Sequence, residues 1–401
     1  MLRRVFKAFG YRDFRLLWGG ACTSSVGTWM QKVAQSWLVL SISGSPFLLG
    51  LDAFLGEIPI FLFSLVGGVV ADRVERRHIL LASQYIQMTC AFVLAALIGF
   101  HVVQVWHILV LSFITGFAQA FGGPAYQALI PMLVDKEDLP NAIALNSIQF
   151  NLARVIGPVL GGLALTQLGA VWCFGLNGLS FVAVIVSLIR LQARFVPERT
   201  GATMLASMGQ GIRFVRHQGA MASLIVLAFC MTALAIPMIT FLPVFAKDVF
   251  RRGPTVFTIF LSVSGAGSIT GALIVAGLGN IQNKGRVALT MLLALGTGIA
   301  GFALSKTLLL SCILLFLTGA SLIAVFATIS SLVQLITANE MRGRVMSVYN
   351  VAFRGGMPFG SLLTGWLVPV FSAPSVLAVN GLLLVGLGLY FLTFERRVAA
   401  L

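Results

Sequence analysis

The sequence predicts an all-α membrane protein of twelve transmembrane helices arranged as two pseudo-symmetric six-helix bundles. Three observations carry that expectation. Hydrophobic residues fill 58% of the 401 positions and charged residues only 10%, with a mean hydropathy of +0.98, whereas a soluble domain carries about a quarter charged residues. Twelve mainly apolar runs approach or exceed the ~20 residues that a bilayer crossing requires. The basic residues gather in alternate loops, as expected of a chain that crosses an even number of times. The excess of 27 Lys and Arg over 12 Asp and Glu, net +15, therefore speaks of orientation and not of nucleic acid.

In chain order, Met1 to Arg15 has the basic look of a signal-peptide start, but the run that follows, 15–40, is long, contains Lys32 and lacks a cleavage site, so it reads as a retained first helix. The second run, 47–71, ends at the basic loop holding Arg73, Arg76 and Arg77. Runs 79–100 and 107–130 follow, then Lys136 and the fifth run, 141–167. The sixth, 171–191, leads into the longest polar interval, Gln192 to Gly219. Beyond it lie 220–245, 256–278, 287–305, 308–336, 345–370 and 375–394. The chain thus divides into an N-terminal bundle, 1–193, a cytoplasmic linker, 194–219, and a C-terminal bundle, 220–401. In the linker, Met204 to Val215 spaces its apolar residues at a helical period beside Arg213 and Arg216, which suits an amphipathic helix on the inner leaflet or a plain tether.

Twenty Lys and Arg fall on one side of this topology, among them Arg3, Arg4, Arg194, Arg199, Lys284, Arg342 and Arg396. Four fall on the other, Lys247, Arg251, Arg252 and Lys306, and three, Lys32, Arg154 and Arg354, lie within runs. Both termini are expected in the cytoplasm. The five cysteines, Cys22, Cys90, Cys173, Cys230 and Cys312, sit in apolar stretches without paired spacing and read as small buried hydrophobes. The histidines form no ligand cluster, and no phosphate-binding G-x-x-x-x-G-K-S loop or nucleophile constellation is present, so an enzyme and a cofactor are not expected.

Two pairs of segments repeat between the halves. Gly68-Val-Val-Ala-Asp72-Arg73-Val-Glu75-Arg76-Arg77 is echoed by Gly279-Asn-Ile-Gln-Asn283-Lys284-Gly-Arg286. Arg154, Gly157, Pro158, Gly161 and Gly162 are echoed by Arg354, Met357, Pro358, Gly360 and Ser361, with Arg and Pro at one separation. The first segment resembles motif A of the major facilitator superfamily, G-x-x-x-D-R-x-G-R-R, and the fifth run resembles the end of its antiporter motif, GPxxGG. Glu75 stands where motif A usually has Gly, and the fourth run lacks the central Arg of motif B. Pro124-Ala-Tyr-Gln-Ala-Leu-Ile-Pro131 and Leu139-Pro-Asn-Ala-Ile-Ala-Leu-Asn146 resemble the branch of transmembrane secretion effectors, which includes enterobactin and macrolide exporters.

The resemblance implies the major facilitator fold in a bacterial inner membrane, with proton-driven export of a small siderophore-like or drug-like amphiphile. Its partners would be that substrate, protons and the lipid bilayer, without nucleic acid, and the chain is expected to be a monomer. An importer or lipid flippase of the same fold, or a receptor without transport, are the alternatives. Physically, Gly68 permits close helix approach, while Asp72 either latches a neighbouring helix terminus or is merely solvated. The Gly157 to Gly162 stretch permits close packing and a bend.

Ionisable residues inside the runs are the most informative positions, because each is costly in hydrocarbon unless paired or hydrated. Lys32 and Glu57 both fall roughly 13 to 15 Å below the outer surface at 1.5 Å per residue. Glu57 is expected to titrate with Lys32 beside it and Asp52 feeding protons, or else to form a static ion pair with Lys32. Arg154 and Arg354 could grip an anionic or multiply oxygenated substrate with their forked donors, or bond carbonyls freed by the prolines. Gln31, Gln35, Asn146, Gln149, Asn151 and Asn350 would add donors and acceptors. Trp37, Trp106, Trp172 and Trp366 suit an interfacial belt, and Trp29 or Phe353 could line an amphiphile site.

Overall fold

The structure, a computed structural model, describes residues 6–192, 204–278, 283–338 and 341–401, without the side chains of residues 72, 204–208, 210, 211 and 278. Arg3, Arg4, Arg194, Arg199 and Gly279, and the side chain of Asp72, lie outside the described residues. A 3₁₀ turn, Lys7–Gly10, precedes α1 (Arg12–Ser43), α2 (Pro46–Arg73), α3 (Arg76–Gly99), α4 (Val105–Leu129), α5 (Leu139–Gln167) and α6 (Ala170–Ile189). The linker helix α7 (Met204–His217) leads to α8 (Gly219–Thr240), α9 (Pro254–Leu278), α10 (Lys284–Leu304), α11 (Leu308–Ile336), α12 (Arg342–Phe371) and α13 (Ala373–Thr393). By length and composition, ten helices among the described residues are apolar enough to cross a membrane. The long helices α1 and α12 fall short in apolarity alone, and they are the two that carry Lys32 and Arg354.

Local chemistry sets the breaks. Gly44, at φ +62°, follows the last residue of α1 and Pro46 opens α2, so the chain leaves one helix in a left-handed residue and enters the next at the position that tolerates a missing N–H. Gly169, at φ +87°, turns the chain between α5 and α6. The chain forms two compact units: residues 1–43 with 55–201, and residues 44–54 with 202–401. The first turns of α2 therefore belong with the second unit.

In the first unit α1 packs on α5 and α6, and α3 on α4 and α6. The second unit repeats the scheme, with α8 on α12 and α13, α10 on α11 and α13, and α9 on α11. Small residues make these crossings. A Cβ at Gly157 would overlap Trp29 Cβ and lie 2.9 Å from the Val26 carbonyl oxygen, and one at Gly161 would lie 2.9 Å from the Met30 carbonyl oxygen. Gln149 Nε2 donates to the Ala21 carbonyl at 3.1 Å and to Ser25 Oγ at 2.7 Å. Contacts thus advance together along both chains, and α1 and α5 run parallel.

The equivalent crossing in the second unit uses Gly356 against Phe229 and Thr232, and Gly360 against Ala233. Matching Val26, Trp29 and Met30 to Phe229, Thr232 and Ala233 pairs Gly157 with Gly356 and Gly161 with Gly360. The Arg–Pro spacing in sequence instead pairs Gly157 with Met357. The packing register is therefore one residue, about 100° of helix rotation, away from the sequence register. The structural counterpart of Arg154 is Phe353, and Arg354 corresponds to Val155. The arginines are not in equivalent places: Arg154 is half-buried and Arg354 exposed.

Close approach leaves no room for a side chain at these glycines. Gly157→Val and Gly360→Val are each expected to destabilise the protein by about 1–3 kcal/mol through overpacking, seen as a lower melting temperature in detergent. Gly175→Ala, where an added Cβ meets nothing within 4 Å, should leave the melting temperature unchanged or slightly higher.

Candidate functional site

The intramembrane charges of the first unit meet an aromatic ring. Lys32 Nζ lies 5.1 Å from the centroid of the Trp29 indole, one turn earlier on α1, and Arg154 Cζ on α5 lies 5.9 Å from the same centroid. The expected ion pair between Lys32 and Glu57 is not formed among the described residues. The i, i+3 spacing on α1 holds the ammonium over Trp29 instead. Glu57 is half-buried on α2 with no ion pair or hydrogen bond to its side chain among the described residues. Asp52 is buried and falls in the segment that clusters with the second unit, whereas Glu57 belongs to the first.

The polar residues divide into two groups. Gln31 Oε1 accepts from Asn177 Nδ2 at 2.6 Å, Gln31 Nε2 donates to Gln35 Oε1 at 3.4 Å, and Gln35 Nε2 donates to Ser112 Oγ at 2.8 Å. This chain links α1 to α6 and α4 beside the charged residues. Gln149 is buried and its Nε2 bonds α1 twice, so it helps to hold that crossing together. Asn146 Oδ1 accepts from Tyr126 at 2.7 Å, joining α4 to α5, and Asn151 Nδ2 donates to the Ser147 carbonyl of its own helix at 2.8 Å. Asn350 is exposed on α12. Sequence reasoning passed over Asn177 and Ser112; an Asn within the strongly apolar run 171–191 was the available signal.

At the end of the first unit where α2, α4 and α6 finish, a Cβ at Gly67 would overlap the Ala120 carbonyl oxygen. Arg76 donates to the Ala71 carbonyl at 3.3 Å and the Ala128 carbonyl at 3.2 Å. Arg77 donates to Ile189 at 2.6 Å and Leu191 at 3.4 Å. These guanidinium groups satisfy carbonyls at the C-terminal ends of α2, α4 and α6, where the helix dipole also favours a cation. Arg73 is exposed.

A second cluster, joining the residues ahead of α1 to the start of α5, was not foreseen. Lys7 Nζ pairs with Asp138 at 2.8 Å, the Tyr11 hydroxyl donates to Asp135 at 2.8 Å and Asp138 at 2.9 Å, and the Ala8 amide donates to Asn141 Oδ1 at 2.9 Å. The Lys7 hydrogen bond holds the Asp138 carboxyl below its usual range and raises Lys7 in turn. Hydrogen bonds to Asp135 and Asp138 push the Tyr11 phenol up to about 12.

A sequence model of the transmembrane secretion effector family matches residues 5–399. The multidrug efflux pump Tap of Mycolicibacterium fortuitum is 27% identical over 356 residues, 86% of each chain. The macrolide efflux protein A of Streptococcus pyogenes is 21% identical over 358 residues, 88% of each. The enterobactin exporter EntS of Shigella boydii serotype 4 is 26% identical over 400 residues, 96% of this chain and 92% of its own. Among solved structures, a D-xylose–proton symporter superposes with a TM-score of 0.76 at 14% identity, covering 96% of this chain and 98% of the other, and so shares the fold.

The second cluster predicts a two-sided pH dependence. Asp138, depressed, contributes above the ordinary carboxylate range and loses its contribution as pH falls through its folded value; Lys7 and Tyr11, raised, contribute below about pH 10 and lose theirs as pH rises beyond it. Exchange protection of the Ala8 amide, corrected for intrinsic rate, should therefore be greatest near neutrality. It should fall several-fold in Tyr11→Phe at pH 7.

Proposed function

The chain belongs to the transmembrane secretion effector family of the major facilitator superfamily, and from that we propose that it is a secondary active transporter exporting a small amphiphilic compound by proton antiport with alternating access. The drug, macrolide and siderophore exporters among its relatives support the direction and the kind of cargo. The basic loops support an orientation with both termini in the cytoplasm, and the family resemblance a bacterial inner membrane.

One observation carries the coupling. Glu57 is a carboxylate on a helix with an 18-residue stretch of mean hydropathy 2.0, with no cation against it among the described residues. A carboxylate within a bilayer is costly unless it is paired, hydrated or protonated. A group whose stability depends on one proton makes the balance between conformations depend on the proton gradient. Lys32, engaged with Trp29, leaves Glu57 free to exchange protons without breaking an ion pair. Asp52, five residues nearer the outer end of α2, is suited to pass protons toward it. In this reading Arg154 contacts substrate. Motif A, including Gly68 and Asp72, and the Gly157-Pro158 and Gly161-Gly162 pairs let the helices shift between states.

The test uses everted membrane vesicles from cells expressing the chain, supplied in the external medium with a macrolide or a catecholate siderophore as probe and given an imposed pH gradient, acid inside. Wild-type vesicles should accumulate the transported probe. Glu57→Gln should lose gradient-driven accumulation by tenfold or more while retaining downhill movement. Full response of Glu57→Gln to the imposed gradient excludes Glu57 as the coupling group.

A further inference from the structure

We propose that Lys32, Trp29 and Arg154 form the recognition site for an aryl carboxylate, a planar ring carrying an anionic group. The proposal builds on the export reading only in taking the ligand to be the cargo. The two cations share one indole ring, at 5.1 and 5.9 Å. Neither has a carboxylate within ion-pair distance among the described residues. A cation over an aromatic face gains about 0.5–2 kcal/mol, too little to offset holding two like charges together at membrane depth. The site therefore has an uncompensated positive charge and lacks an anion.

The internal repeat shows that packing does not require this arrangement. At the matching crossing of α8 and α12, the counterparts of Trp29, Lys32 and Arg154 are Thr232, Ala235 and Phe353. All three are uncharged, and Phe353 packs on Phe326 with ring centroids 4.6 Å apart. The same parallel crossing thus forms without an indole or a cation, and the trio in the first unit serves something other than the fold.

The geometry also selects the shape of the anion. Gly157 brings the backbone of α5 against Trp29 Cβ, which fixes the root of the indole beside Arg154. A carboxylate can take the guanidinium fork and the ammonium together, while a ring attached to it stacks on the indole. An aliphatic anion would gain only the first interaction, and an aryl cation would be repelled.

Equilibrium dialysis on the purified full-length protein, with no proton gradient, tests this using 2-naphthoate, cyclohexanecarboxylate and 2-naphthylmethylammonium as probes. Saturable binding in the order naphthoate, then cyclohexanecarboxylate, with no binding of the cation, is expected. Arg154→Gln and Lys32→Gln should each weaken naphthoate roughly ten- to a hundredfold, the loss of one charge-assisted hydrogen bond. Trp29→Leu should weaken naphthoate and leave cyclohexanecarboxylate unaffected. Arg154→Lys, which keeps charge and loses the fork, should fall between wild type and Arg154→Gln, and melting curves identify any variant that has failed to fold. Absence of naphthoate binding to wild type, or binding to folded Lys32→Gln and Arg154→Gln as tight as to wild type, overturns the proposal. Binding as expected in a protein whose transport ignores the pH gradient would overturn only the coupling reading, and gradient-driven export without naphthoate binding only this one.

Discussion

Charge at hydrocarbon depth is the constraint on which the site depends. A bilayer offers no water to an ionised side chain, so each one must find a partner, a wet surface or a proton. Here the positive groups of the first unit converge on the Trp29 ring, while the negative group, Glu57, stands apart from them. Had Lys32 and Glu57 paired, both charges would have been neutralised within the protein and neither would have been available to a ligand or a proton. Keeping them separate costs stability and leaves two distinct chemistries on neighbouring helices, the kind of local conflict that natural sequences retain at functional positions.

Close helix packing is what makes that separation possible. Gly157 and Gly161 draw α5 against α1, and Gln149 locks the crossing to the Ala21 carbonyl and Ser25. Held in this register, Arg154 reaches the indole without any carboxylate to guide it. The glycine motif that resembles an antiporter signature thus has a direct structural role, because it positions an aromatic side chain and an arginine from different helices. Neutral amides continue the same design, since Gln31, Gln35 and Asn177 satisfy one another and orient the surrounding helices without adding charge.

The fold was largely legible because its cause, apolar length between basic loops, is written locally. All twelve expected runs correspond to helices, from 15–40 within Arg12–Ser43 to 375–394 overlapping Ala373–Thr393. The site was legible only in part. Lys32, Glu57 and Arg154 stood out because charges in apolar runs are rare, but their partners depend on helix rotation, which sequence spacing does not report. Lys32 therefore was assigned to Glu57 when Trp29 holds it. Tyr11, Asp135 and Asp138 escaped notice because three contacts more than 120 residues apart in sequence leave no local signature.

The misreading of the repeat is the most instructive case. Arg154 and Arg354 keep one separation from their prolines, which argued for symmetric function, yet the glycines that set the packing are Gly157 and Gly161 in one half and Gly356 and Gly360 in the other. A shift of one residue rotates a helical side chain by about 100°, enough to move Arg354 out of the place that Arg154 occupies and put Phe353 there. The two halves therefore preserve the scaffold while differing in chemistry: one crossing presents cations around an indole, the other an aromatic pair, Phe353 and Phe326. Such divergence is expected when a duplicated bundle needs identical backbones to move alike but only one charged site to recognise an anion, since a second cation cluster at membrane depth would add its own cost without a further ligand to offset it.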